Sequence, residues 1–147
     1  MVKLNLPEYE YNVKKDEGKV WIFDIIRKRF IVLTPEEWVR QHFVNFVVSV
    51  LNYPKALMKI ETGLVYNKLN KRSDIIVHDR HGSPWMVIEC KAPDQKLSQQ
   101  TLEQVAMYNA SMKARYVAVT NGLTHFCSEI NWEERKTILL NEFPLYE

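Results

Sequence analysis

The chain has 147 residues, enough for one ordinary domain and too few for two comfortable ones. With 46% hydrophobic and 26% charged residues its composition is globular, which argues against both a disordered tail and a membrane-embedded chain. Twenty basic residues face eighteen acidic ones; the net charge of +2 excludes a histone-like polycation but leaves room for a local basic patch that contacts nucleic acid.

In chain order, residues 9–33 read as β-rich. Tyr9 to Val13 alternates, Asp16-Glu17-Gly18-Lys19 is a turn, Val20 to Phe23 resumes an apolar strand, and Phe30 to Leu33 follows a basic stretch at Arg27-Lys28-Arg29. Thr34-Pro35-Glu36-Glu37 then announces a helix, with Thr34 as N-cap, Pro35 at the first position and Glu37 closing a capping box. Val39, Phe43, Phe46, Val47 and Val50 recur at helical spacing, so the helix should run to about Leu51 before Asn52-Tyr53-Pro54 stops it. Lys59 to Tyr66 suits a strand and Asn67 to Lys71 a polar loop. Asp74 to His78 and Trp85 to Lys91 read as two strands around a turn at Asp79 to Ser83. A second helix is predicted from a Ser98 cap to about Lys113, with Leu102, Val105, Ala106 and Met112 inward. Arg115 to Thr120, His125 to Ile130 and Thr137 to Leu140 complete a mixed α/β layer fold.

The missing motifs narrow the chemistry. The sequence has no GxxxxGK[ST] phosphate loop, no GxGxxG, no CxxC and no HExxH. Two cysteines make no disulfide framework, and no apolar run approaches the roughly 18 residues of a membrane span. With no secretory signal in Met1 to Glu10, a cytoplasmic protein without a membrane role is expected.

One constellation carries chemistry. Glu89 and Lys91 stand two apart on a strand and leave the same face, while Cys90 points the other way. A hairpin centred near residues 81 and 82 sets Asp74 roughly opposite Glu89, with Cβ atoms about 5 Å apart. Two carboxylates that close repel unless a cation lies between them, and Mg²⁺ favours one or two carboxylates with water and phosphate. Lys91 would stand beside such an ion, placed to orient a water or offset charge on phosphorus.

Asp74, fourteen intervening residues and then Glu89-Cys90-Lys91 resemble the PD-(D/E)xK nuclease signature. The wider chain resembles the N-terminal nuclease domain of type I restriction enzyme R subunits (HsdR) over about residues 20 to 130. The resemblance rests on Thr34 to Gln41, Tyr53-Pro54-Lys55, Lys71 to Val77, Ile88 to Pro93, Gln104 to Tyr108 and Val119 to Gly122. It implies a single domain over residues 1–147, with residues 1–33 a β-rich extension and 34–130 the core. That core would be restriction-endonuclease-like, a central mixed β-sheet flanked by helices, preceded by an N-terminal β-hairpin.

The resemblance also implies a Mg²⁺-dependent DNA endonuclease, with Mn²⁺ as a substitute. Asp74 and Glu89 would hold the ion, the Cys90 carbonyl would add a ligand, and Lys91 would assist the attacking water. Gln104 and Tyr108 match the Gln-x-x-x-Tyr element of these nucleases and share one helix face. Glu36 is the choice for the glutamate that the first helix often supplies, and Arg40 is its expected i,i+4 partner. Lys68, Lys71 and Arg72 form a small basic cluster suited to a nucleic-acid backbone. The family's long subunits carry a helicase motor that this sequence lacks. Coupled cleavage would then draw on a helicase or another restriction-system subunit in trans, or on a homodimer.

Each assignment has a plainer rival. Asp74, Glu89 and Lys91 could be a structural ion pair, Glu36 a solvated helix start, and Gln104 with Tyr108 the polar flank of a packed helix. His78, His81 and Cys90 could suggest zinc, although a polar hairpin tip accounts for the histidines better. At the level of function, the alternative is a catalytically weak module of the same fold that binds nucleic acid or a partner.

Overall fold

Thr34 starts the first helix as its sequence predicts. In the computed structural model, which describes residues 1–61 and 74–147, Thr34 is extended (φ −114°, ψ 166°) and its Oγ1 accepts the Glu37 N–H at 3.0 Å. Helix α1 spans Pro35–Ser49. Val39, Phe43 and Val47 are buried and Phe46 half-buried on its predicted stripe. Val50 departs from that stripe: it is the C-cap residue, beyond the last turn, and 53% exposed. The Glu37 carboxylate also departs, turning inward to Arg27, Arg40 and Gln41 instead of back to the cap.

Ahead of α1 stands a three-stranded antiparallel sheet, β1 (Val13–Asp16), β2 (Lys19–Asp24) and β3 (Arg29–Val32). Asp16 pairs with Lys19, leaving Glu17-Gly18 as a two-residue turn with both φ positive (51° and 74°), the twist that joins antiparallel strands tightly. The ladder begins at Val13 and not at Tyr9, because Tyr9 and Tyr11 turn to α1. Tyr11 meets Trp38 edge-on at 5.1 Å and Tyr9 meets His42 at 4.9 Å. The expected hairpin is therefore a meander whose third strand pairs Ile31 with Ile22.

The central sheet, among the described residues, has six strands in the order β4 (Met58–Ile60), β5 (Ile75–His78), β6 (Pro84–Cys90), β7 (Tyr116–Thr120), β8 (His125–Asn131) and β9 (Lys136–Leu140). Only the β6–β7 pair is parallel, and helix α2 (Gln99–Tyr108) crosses between those two strands. Both faces of the sheet are covered. Ile75, Val77, Met86, Ile88 and Ala118 pack on the α1 side, while Ile76, Val87, Val117 and Val119 pack with Leu102 and Val105 of α2. Strands buried on both faces need apolar residues at every position, which is why β5 to β7 read as continuous apolar runs. Helix α2 stops at Tyr108 short of the expected Lys113, because Asn109 caps it and donates its Nδ2 to the Val105 carbonyl at 2.8 Å. The strand expected beyond Glu61 and the loop from Asn67 to Lys71 lie outside the described residues. No helix among the described residues is long and apolar enough to cross a membrane.

Gly122 closes β7 at φ +85°, where a Cβ would come within 2.7 Å of Leu4 Cδ2, and its carbonyl accepts the Asn5 N–H at 2.7 Å. Gly122→Ala combines left-handed strain with a displaced Leu4, so urea denaturation should show a loss of about 1–3 kcal/mol. Unchanged stability would mean that the N-terminal segment does not dock on this turn.

Candidate active site

The site sits where β5 begins and β6 ends. Ile75 pairs with Ile88, so Asp74 and Glu89 face each other one position beyond, as the hairpin arithmetic expects. Asp74 is 1% exposed and both its oxygens are engaged. Its Oδ1 accepts from Arg40 Nη2 at 2.9 Å and its Oδ2 from the Cys90 N–H at 2.7 Å. Lys91 lies just past β6, its own N–H fastened to the Thr120 carbonyl of β7 at 2.8 Å, and its Nζ stands 3.4 Å from Glu89 Oε1. Three of the sequence-predicted residues, Asp74, Glu89 and Lys91, are thus brought together.

Burial and crowding set the electrostatics. Burial first, and then the charge of Asp74, push the Glu89 carboxyl up to about 8, with Lys91 opposing. Burial raises Asp74 too, against the pull of Arg40 and the Cys90 N–H. The Cys90 thiol is buried and driven well above its ordinary range, so it stays protonated and is a poor nucleophile.

The first helix reaches the site through Arg40. This guanidinium is 2% exposed; its Nη2 donates to both Asp74 Oδ1 (2.9 Å) and Glu36 Oε1 (2.7 Å), and its Nη1 to Glu37 Oε1 (2.6 Å). Glu37 is held in turn by Arg27 Nη2 at 2.9 and 3.0 Å and by Gln41 Nε2 at 2.9 Å. Arg27 and Gln41 close the network on the buried Asp24 Oδ2, at 2.6 and 2.9 Å. Burial works against the charge on Asp24, but the bonds from Arg27 and Gln41 hold its carboxyl below the usual range. Glu36 is the expected i,i+4 partner of Arg40 and meets Asp74 only through that shared nitrogen, with its side chain 37% exposed.

Sequence reasoning missed that Arg40 partners Asp74 and that Asp24, Arg27 and Gln41 brace it. The available signal was two long polar residues, Arg40 and Gln41, set directly between the core positions Val39 and Phe43. Gln104 stands exposed on α2, two residues from the inward Leu102, and among the described residues no hydrogen bond ties it to Asp74, Glu89 or Lys91. Tyr108 ends α2, and its side chain lies outside what is described. Lys68, Lys71 and Arg72 lie outside the described residues. His78 belongs to the hairpin, its Nδ1 3.0 Å from the Leu57 carbonyl oxygen.

Asp74 and Glu89 are the residues that could hold a metal ion. Among the described residues no three His, Cys, Asp or Glu side chains converge, so an ion here would take two carboxylates and fill its shell from water, backbone and substrate. That donor set suits Mg²⁺ and not a closed zinc cage. A cavity of about 690 Å³ lies between Met1-Val2, the start of α1 at Thr34 to Glu36, and Ala92 to Gln95; Glu36 lines it, while Asp74, Glu89 and Lys91 do not.

A carboxyl raised from 4.5 to about 8 by folding binds its proton more tightly in the native state. Its contribution to stability is complete below the unfolded value and is lost as pH rises through that interval. In chelator, the melting temperature should therefore decline from pH 4.5 to about 8, and Glu89→Gln should flatten the decline. An equal decline in the variant, seen by thermal melts across that range, would place the titration elsewhere.

The comparison with curated proteins found no match. The comparison with protein families found one, over residues 35–144, to the family model for the type I restriction enzyme R protein N terminus. The matched stretch takes in α1, the whole of the central sheet and α2, and with them Arg40, Asp74, Glu89 and Lys91. It covers well over half of the chain. On the strength of that span, the chain belongs to the family of type I restriction enzyme R protein N-terminal domains, whose members are nuclease-like.

Proposed function

We propose that the chain is a Mg²⁺-dependent deoxyribonuclease domain that hydrolyses phosphodiester bonds. The observation that carries the reading is the facing of Asp74 and Glu89 across the ends of β5 and β6, with the Lys91 ammonium 3.4 Å from Glu89. Asp74 and Glu89 would hold Mg²⁺, with the Cys90 carbonyl as a further oxygen. Bound there, the ion supplies Lewis-acid offset of the charge on the scissile phosphate.

The chain's own residues do the rest. Arg40 and the Cys90 N–H hold both oxygens of Asp74 in place. Lys91 orients the attacking water and stabilises charge on the non-bridging oxygens as the phosphorus becomes five-coordinate. The DNA strand would enter by the cavity between the start of α1 and Ala92 to Gln95. Gln104 and Tyr108 would contribute from α2, Glu36 would act from the start of α1 through Arg40, and Lys68, Lys71 and Arg72 would track the DNA backbone. The family suggests a restriction setting in the cytoplasm, with other subunits, a helicase among them, or a second copy of the chain as partners.

The test is cleavage of labelled single-stranded and duplex DNA with Mg²⁺ or Mn²⁺. Lys91→Ala and Asp74→Ala should each slow the wild-type rate by about 100-fold or more. Cleavage at the wild-type rate by Lys91→Ala would overturn the mechanism. Salt-sensitive DNA binding without cleavage by any variant would favour the binding-module reading.

A further inference from the structure

We infer that Arg40 fills the place of a second metal ion, so that the site takes one divalent cation and not two. The inference rests on the reading of Asp74 and Glu89 as metal ligands. In two-metal phosphoryl-transfer sites an acidic residue is shared by two neighbouring ions, the second of which needs further carboxylates of its own. Here the further carboxylate on offer is Glu36, from α1. The atom lying between Glu36 and Asp74 is already a cationic nitrogen: Arg40 Nη2 donates to Glu36 Oε1 at 2.7 Å and to Asp74 Oδ1 at 2.9 Å. A cation that touched both of those oxygens would have to displace it.

Arg40 is not free to move aside. Its other terminal nitrogen holds Glu37 at 2.6 Å, and Glu37 is clamped by Arg27 and Gln41, which are themselves fixed on the buried Asp24. The planar guanidinium spans three carboxylates in one geometry, which a compact ammonium could not do. The formal charges agree with one ion. With Asp74 and Glu89 deprotonated, as metal binding requires, Asp24, Glu36, Glu37, Asp74 and Glu89 face Arg27, Arg40 and Lys91, which leaves two negative charges, the amount one divalent cation offsets. Among the described residues Glu36 does not converge with Asp74 and Glu89 as a third ligand. Glu36 therefore serves to position Arg40 and does not bind metal.

The experiment is a Mn²⁺ titration of the full chain by calorimetry and electron paramagnetic resonance, without substrate. Wild type should bind one ion, lost in Asp74→Ala, and Glu36→Gln should keep that stoichiometry with an affinity within threefold. Arg40→Met, where it folds by circular dichroism, should admit a second ion. Two ions in wild type, a greater loss of affinity in Glu36→Gln, or a folded Arg40→Met still limited to one ion would overturn the inference and leave the metal site standing. No bound ion at all in wild type would remove the metal reading itself, and the inference with it. The wild-type and Glu36→Gln results decide the matter even if Arg40→Met does not fold.

Discussion

A fully buried guanidinium among carboxylates is the constraint on which the rest of this structure depends. Arg40 is taken out of water almost entirely, a step that costs several kcal/mol unless its donors are met by well-placed acceptors. Burial alone would weaken its charge, but Asp74 first and then its neighbours more than reverse that. The acceptors come from two separated parts of the chain, Glu36 and Glu37 on its own helix and Asp74 at the start of β5. An ion pair of this kind favours one arrangement of helix and sheet more than it adds to stability, because any other arrangement leaves a buried charge unpaired.

The same network ties the N-terminal sheet to the end of the central sheet that carries Asp74 and Glu89. Asp24 ends β2, and its two oxygens order the turn into β3 while reaching Arg27 and Gln41. Through Glu37 and Arg40 that turn is four ionic contacts from Asp74. Residues 1–34, which precede the part matched by the family, are therefore joined to the site by direct bonding and not only by packing. Trp38 and His42 on the same flank of α1 are met edge-on by Tyr11 and Tyr9.

The site itself holds opposing requirements in one place. Burial raises the Asp74 carboxyl against two donors, Arg40 and the Cys90 N–H, while Glu89, opposed by Lys91, is pushed up to about 8. Burial raises both carboxyls, the charge of Asp74 raises Glu89 further, and each is opposed by the cation beside it, Arg40 at Asp74 and Lys91 at Glu89. The ends of β5 and β6 hold these groups together because β6 has a parallel neighbour, β7, that carries the backbone of Lys91.

By itself, the sequence determined the elements and the central pairing. The Thr34 cap, the turn at Asp79 to Ser83 and the apolar runs of β5 to β7 are local signals, and antiparallel register follows from counting outward from a hairpin. The facing of Asp74 and Glu89 is therefore legible in the order of residues alone. Tertiary structure alone decided what surrounds them. Nothing local distinguishes Arg40 as a helix-surface partner of Glu36 from Arg40 as the buried partner of Asp74, 34 residues away. The i,i+4 rule describes the first and is silent on the second, because contact across elements depends on how helix and sheet pack. The inward turn of Glu37, the exposure of Val50 and of Gln104, and the early stop of α2 at Asn109 have the same origin. Periodicity states which positions share a face, and only packing states which neighbour that face meets.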